Sequence, residues 1–304
     1  MQALTLKKVH KRFAQVTAVD FLSLQVEEGW IYGLLGPNGA GKTTTIRMIL
    51  NIIQPDQGHI FLWGEKGAAF TDRVGYLPEE RGLYRKMKVL DLLVFLASIK
   101  GMRASQTRAE ALRWLAKFEL DAWCQRKVEE LSKGMQQQVQ FIACVLHHPD
   151  LVILDEPFTG LDPVNTSRLK DVVLELNAQG TTVILSTHQM EQVERLCSHI
   201  CLINRGQKVL DGRLSEIKNE YGQNTVRLEF DGPKTFLNTS PLIEKMDLYG
   251  QYVELRLKPA ADPQELLRTA VQRTFVRKFE IVEPSLNDIF IEKVSLADGD
   301  ERPE

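Results

Sequence analysis

Ile31-Tyr32-Gly33-Leu34-Leu35-Gly36-Pro37-Asn38-Gly39-Ala40-Gly41-Lys42-Thr43 is the stretch that decides the fold. Ile31 to Leu35 reads as a short apolar strand, and Gly36 to Thr43 fits G-x-x-x-x-G-K-[ST] without a mismatch. Helix-like periodicity follows from Lys42 to Ile53, and Pro55 and Gly58 close it. A strand that enters a glycine-rich turn and leaves as a helix can wrap its backbone around a phosphate chain. The helix N-terminus adds unpaired N–H groups and a positive dipole. Lys42 is placed to reach β- and γ-phosphates, and the Thr43 hydroxyl to ligate Mg²⁺. The candidate phosphate-binding residues are Gly36, Pro37, Asn38, Gly39, Ala40, Gly41, Lys42, Thr43 and the adjoining Thr44. A glycine-rich turn with an accidental lysine would not require this flanking strand and helix.

Downstream, Leu151-Val152-Ile153-Leu154-Asp155-Glu156 is an apolar strand that ends in two acids. Buried carboxylates are costly when unpaired, so the ending needs a reason. A Walker B role supplies one: Asp155 holds Mg²⁺ and Glu156 polarises an attacking water. Around these motifs the pattern is α/β. Leu22, Leu24 and Val26 alternate with polar residues, further strands are expected at 59–63, 73–77 and Val183–Ser186, and helices at 189–197 and from Asp162-Pro163 onward. Residues from about 82 to 147 carry helical patterns, including the amphipathic KVLDLLVFLASIK, and read as an inserted helical block. Beyond Gly222 a small α/β domain is expected at 222–295, with strands at Thr225–Phe230, Tyr252–Leu257 and 276–282 and helices at 262–273 and 285–294. Residues 296–304 read as a disordered tail. The first domain is then 1–221.

Composition excludes some partners. Thirty-eight Lys+Arg against 40 Asp+Glu leave a net charge of -2, with no general basic field for nucleic acid. The longest apolar run, Leu92 to Ile99, is far short of the ~18–20 residues that span a bilayer, and the N-terminus lacks a signal-peptide core. A cytoplasmic location is expected. Cys197 and Cys201 flank His199, but no complete four-ligand set accompanies them, and they read as core thiols.

Further motifs carry a resemblance. Leu131-Ser132-Lys133-Gly134-Met135, at a helix start about 20 residues before the Walker B acids, resembles the signature LSGGQ of the ATP-binding-cassette (ABC) family. Thr159-Gly160-Leu161-Asp162 resembles that family's D-loop, and Ser186-Thr187-His188 its switch histidine. Phe13 stands where the family places an aromatic on adenine. The ordered set spans residues 1 to about 215. It implies a P-loop NTPase fold of the ABC ATPase type, with ATP and Mg²⁺ as cofactors. It also implies a head-to-tail dimer with a second copy of the chain. In that arrangement Ser132 and Gly134 contact the γ-phosphate held by the partner copy, while His188 contacts the γ-phosphate beside Glu156. Phe13, Ser132 and His188 also have plainer readings as a core aromatic, a helix N-cap and a surface histidine.

Three residues depart from the family pattern: Lys133 and Met135 in the signature, and Glu79, in Val74-Gly75-Tyr76-Leu77-Pro78-Glu79-Glu80, where a glutamine is usual. Glu79 either lies near Mg²⁺ or turns toward a partner's cation, with Glu80 or water filling the site. The ending Glu283-Pro284-Ser285-Leu286-Asn287-Asp288-Ile289-Phe290 looks like that of exporter ATPases, and GYLPEERGLY looks closest to the sodium-extrusion type. The resemblance implies a motor at the cytoplasmic face of the membrane, docked on a separate multi-span permease. The competing classes are a soluble ABC ATPase acting on ribosomes or DNA, and a nucleotide-gated switch. Two cassettes or a basic linker would favour the former; loss of Glu156 or His188 would favour the latter.

Overall fold

The computed structural model describes residues 1–66, 72–80, 82–221, 225–258, 261–282 and 284–299, without the side chains of 104, 105 and 294–299. The chain divides into two compact units, Met1–Arg213 and Leu214–Glu304. The division falls before the expected 221/222 boundary, and Gly222 itself lies outside the described residues.

In the first unit the elements are β1 (Gln2–Phe13), β2 (Val16–Glu27), β3 (Ile31–Leu35), α1 (Lys42–Ile49), β4 (Gln57–Leu62), β5 (Glu65–Lys66) and β6 (Val74–Leu77). Helices α2 (Val89–Ile99), α3 (Ala104–Lys117) and α4 (Lys133–Val145) form the helical block. There follow β7 (Leu151–Asp155), α5 (Pro163–Ala178), β8 (Thr182–Thr187), α6 (Met190–Leu196), β9 (His199–Asn204) and β10 (Gln207–Arg213). Two sheets result, one of order β2-β1-β4-β5 and one of order β10-β9-β3-β8-β7-β6. The first is antiparallel throughout; in the second only β10 runs against its neighbour. Every residue of β3, β7 and β8 is buried, as expected of central parallel strands covered on both faces. Leu34, Ile46, Ile153 and Ile184 join residues of β1 and β2 in one core, which fixes the loop between β3 and α1 against the ends of β7 and β8.

Two local departures have clear causes. Strand β1 is not evident from its sequence, because Lys7 and Lys8 interrupt the alternation; the structure absorbs them in a bulge, with Lys8 at φ 47 and a register shift between Leu6 and Val9. Helix α1 stops at Ile49 rather than Ile53, where Asn51 takes a left-handed φ of 57, a conformation its short polar side chain tolerates.

The second unit holds α7 (Leu214–Glu220), β11 (Thr225–Asp231), α8 (Thr235–Asn238), β12 (Ile243–Leu248), β13 (Val253–Leu257), α9 (Pro263–Arg273), β14 (Phe275–Val282) and α10 (Leu286–Gly299). Its antiparallel sheet has order β12-β13-β11-β14, and Leu266 and Ala270 of α9 pack with Val226, Leu228 and Leu255. Strand β12 was not expected: it lies at the sheet edge with four exposed residues and no apolar alternation to betray it. Helix α10 continues to Gly299, so 296–299 extend a helix rather than begin a tail; Leu296 and Ala297 are good helix formers. Residues 300–304 and Glu283 lie outside the described residues.

Candidate active site

The loop between β3 and α1 needs glycine for reasons that the strand order supplies. Gly36 sits at φ 149, and a Cβ there would lie 2.1 Å from the Ile203 carbonyl oxygen of β9. Gly41 sits at φ 105, and a Cβ there would lie 2.2 Å from the Ala18 carbonyl oxygen of β2. The loop is therefore wedged between two neighbouring strands, in backbone conformations that L side chains rarely adopt.

This wedging aims Lys42 inward. Its Nζ donates to the Gly36 carbonyl at 2.8 Å and the Pro37 carbonyl at 3.1 Å, and lies 3.8 Å from Glu156 Oε1. Burial lowers the Lys42 pKa, and the negative charges of Glu156, Asp155 and Glu79 oppose that shift. A phosphate oxygen would be a stronger partner for this ammonium than two neutral carbonyls.

Two parallel strands end side by side at the acids. Asp155 pairs with Ser186 in the β7–β8 register, and the Ser186 hydroxyl donates to Asp155 Oδ1 at 2.7 Å. Thr43 donates to the other oxygen, Oδ2, at 2.9 Å. Burial raises the Asp155 pKa, and these two hydrogen bonds hold it down in part. Glu156 follows at φ 49, an uncommon conformation for a non-glycine residue, which turns its side chain back toward the end of β8. Its Oε1 accepts from the His188 backbone N–H at 3.0 Å and from Nδ1 of the same residue at 2.8 Å, so that nitrogen carries the proton. Its Oε2 accepts from the Thr187 hydroxyl at 3.0 Å.

A cavity of about 400 Å³ gathers Asn38, Gly39, Ala40, Gly41, Lys42, Thr43, Thr44, Glu79 and Glu156, with Val16 and Ala18 on its wall. A larger groove of about 960 Å³, lined among others by Leu6, Tyr32, His199 and Asp211, contains none of these side chains. The chemistry marks the smaller cavity as the site. Val16 and Ala18 carry no motif, and only the packing of β2 against the loop could have found them. Phe13 stands opposite Val16 in the β1–β2 register and is 47% exposed, outside the cavity lining but at its edge.

Ser132 and Gly134 do not line the cavity. Ser132 is exposed and caps α4, its hydroxyl accepting from Met135 N–H at 3.3 Å. Helix α4 is tied to the site by buried glutamines. Gln137 donates to the Pro157 carbonyl at 2.6 Å, Gln138 to Asn165 Oδ1 at 2.6 Å and Gln140 to the Glu80 carbonyl at 3.2 Å. Cys197 and Cys201 are buried, and burial pushes both thiols well up.

Fold and site together define a P-loop ATPase cassette: a phosphate loop with its lysine, two acids at the end of β7 in the same sheet, and a histidine on the second acid. The ABC transporter profile matches residues 19–159, and that of the ATP-binding protein DrrA1-3-like, C-terminal domain, matches 212–294. The chain is 46% identical over 292 residues to the ABC transporter ATP-binding protein YhaQ of Bacillus subtilis, covering 96% of this chain and 98% of that one. It is 36% identical over 292 residues to the Nod factor export ATP-binding protein I of Paraburkholderia xenovorans, covering 90% and 96%. A solved ATP-binding subunit of an ABC transporter superposes with a TM-score of 0.67 at 29% identity, over 72% of this chain and 93% of that one. The ATP-binding cassette MJ0796, at 23% identity and a TM-score of 0.64, over 69% of this chain and 98% of that one, shares the fold. The protein belongs to the ABC transporter ATP-binding protein family and is an ATPase.

Proposed function

We propose that the chain is the MgATP-driven motor of an exporter, working as a head-to-tail pair of copies docked on a separate membrane permease. The observation that carries the pairing is the placement of the signature. Ser132 is exposed at the N-terminus of α4 and off its own nucleotide cavity, so its hydroxyl is available to a phosphate held by another copy. Relatives named for Nod factor export support the outward direction. Among the described residues no helix is long and apolar enough to cross a membrane, so the permease reading places the pathway in another chain.

Within the site, Lys42 exchanges its two carbonyl partners for β- and γ-phosphate oxygens. Thr43 and Glu79 in the cavity, with Asp155 accepting from the Thr43 hydroxyl behind it, offer the hard oxygen donors that suit Mg²⁺, which when bound would neutralise phosphate charge. Glu156 polarises the water that attacks the γ-phosphorus and takes its proton as the bond to the β-phosphate oxygen breaks. His188, already on that carboxylate, steadies it and can turn to the γ-phosphate. Phe13, beside the cavity, offers its exposed ring to the adenine.

Cell fractionation tests the assembly. The chain should sediment with membranes, be released by disrupting protein contacts rather than by salt alone, and cross-link to a multi-span protein. Recovery wholly in the soluble fraction of the cells that naturally express the chain would refute the motor reading.

A further inference from the structure

We infer that Thr187 is a positioning residue for hydrolysis: its buried hydroxyl is the side-chain anchor that holds Oε2 of Glu156, and with it the plane of the carboxylate, in line while the His188 ring changes partners. The inference rests on the reading of Glu156 as the water-polarising group.

The hydroxyl has a single proton, and its direction is set by its neighbours. The backbone N–H of Gln189, at the start of α6, donates to Thr187 Oγ1 at 3.1 Å. With that lone pair occupied, the proton points to Glu156 Oε2 at 3.0 Å. A relay therefore runs from the N–H of Gln189 through the hydroxyl to the carboxylate. The two carboxylate oxygens are held by different kinds of group. Oε2 has Thr187, 1% exposed in the wholly buried strand β8. Oε1 has the His188 backbone N–H, which stays, and the His188 ring, whose side chain is 46% exposed. The exposed ring is free to leave for a phosphate, whereas the hydroxyl cannot move without unpacking β8. Glu156 needs such an anchor, because its backbone sits at φ 49 and no helix or strand continues through it to fix the side chain. Ser186 plays the corresponding part for Asp155 one residue earlier, so the end of β8 presents one hydroxyl to each acid.

The test is a double-mutant cycle on the full chain, read by single-turnover phosphate release and by ATP titration. Thr187→Val keeps the shape and removes the donor. It should lower the hydrolysis rate on the order of 10- to 100-fold, as small displacements of a reacting group do, and leave ATP affinity within about twofold. Thr187→Ser should recover most of the rate. In a Glu156→Gln background, Thr187→Val should change the residual rate by less than about twofold, because the group it positions is already gone. Thermal melts accompany each variant, and Thr187→Ala replaces Thr187→Val if the latter does not fold. An unchanged rate in Thr187→Val, or an equal loss in both backgrounds, overturns the inference. A wild-type rate in Glu156→Gln alone would instead overturn the role of Glu156.

Discussion

Replacing Glu156 by glutamine separates binding from chemistry, because the side chain keeps its shape and loses only its charge. The amide oxygen can still accept from the His188 N–H and Nδ1, now at 3.0 and 2.8 Å from the carboxylate oxygen it replaces. The amide nitrogen would face the Thr187 hydroxyl, a reversal of one buried hydrogen bond that costs about 1–3 kcal/mol. The fold is therefore retained. The electrostatic change is larger. Lys42 Nζ lies 3.8 Å from Glu156 Oε1, an attraction of about 4 kcal/mol at an effective dielectric of 20. Its loss frees the ammonium for phosphate and removes a carboxylate from beside the γ-phosphate, so ATP affinity should hold or rise. The rate should fall by about 10²- to 10⁴-fold, the usual worth of a positioned general base, or about 3–5 kcal/mol in barrier. Phosphate release with protein in excess over ATP measures the rate. A sizing column run in MgATP then shows whether the uncleaved nucleotide holds two copies together, and Ser132→Ala in the same background should weaken that pairing. Hydrolysis at the wild-type rate would refute the assignment of Glu156. Loss of ATP binding along with hydrolysis would mean that the carboxylate holds the nucleotide rather than the water.

Other perturbations probe the site from different sides. Gly36→Ala places a methyl against the Ile203 carbonyl at a φ of 149, so the loop must shift; about 1–3 kcal/mol of backbone strain should appear as a lower melting temperature together with weaker ATP binding, and a native melt with native affinity would contradict the wedged loop. The buried Asp155 has a raised pKa, so the folded chain binds its proton more tightly than the unfolded chain does, and stability falls as pH rises through the folded pKa. Asp155→Asn, free of metal and nucleotide, should consequently melt higher than the wild type near pH 7–8, with the gap closing as pH drops into the ordinary carboxyl range; a gap that widens on acidification would reverse the sign of the argument. Glu79 shares the cavity with Lys42 and Thr43, so Glu79→Gln should keep substantial ATPase activity while Glu79→Ala loses much more and needs more Mg²⁺; an unshifted Mg²⁺ curve with a normal maximum for Glu79→Ala would place Glu79 in partner coupling alone.

Much of the site is local and therefore legible in the chain. Gly36 to Thr43 declares a phosphate loop because strand, turn and helix follow one another without a break, and Asp155-Glu156 declares itself by ending an apolar run. The helical block and the strand–helix alternation are likewise carried by short-range periodicity. Strands β1 and β12 escape that reading, one through a lysine bulge and the other through its exposed edge, since periodicity registers only residues that alternate between water and core. The tertiary structure alone decides what meets what. Thr43 and Asp155 are 112 positions apart and hydrogen-bond because β3 and β7 flank β8 in one sheet. Gly36 must be glycine because β9 passes beside it, and Gly41 because β2 does. Ser132, part of the same ordered motif set as the loop, lies outside the lining of its own cavity, and Thr187, which the motif places only as the residue before the histidine, becomes a side-chain anchor of Glu156 through a parallel register. The physical reason is the same throughout: propensity and periodicity are set by neighbours in sequence, whereas these contacts are set by the order and register of strands, which depend on how the whole core packs.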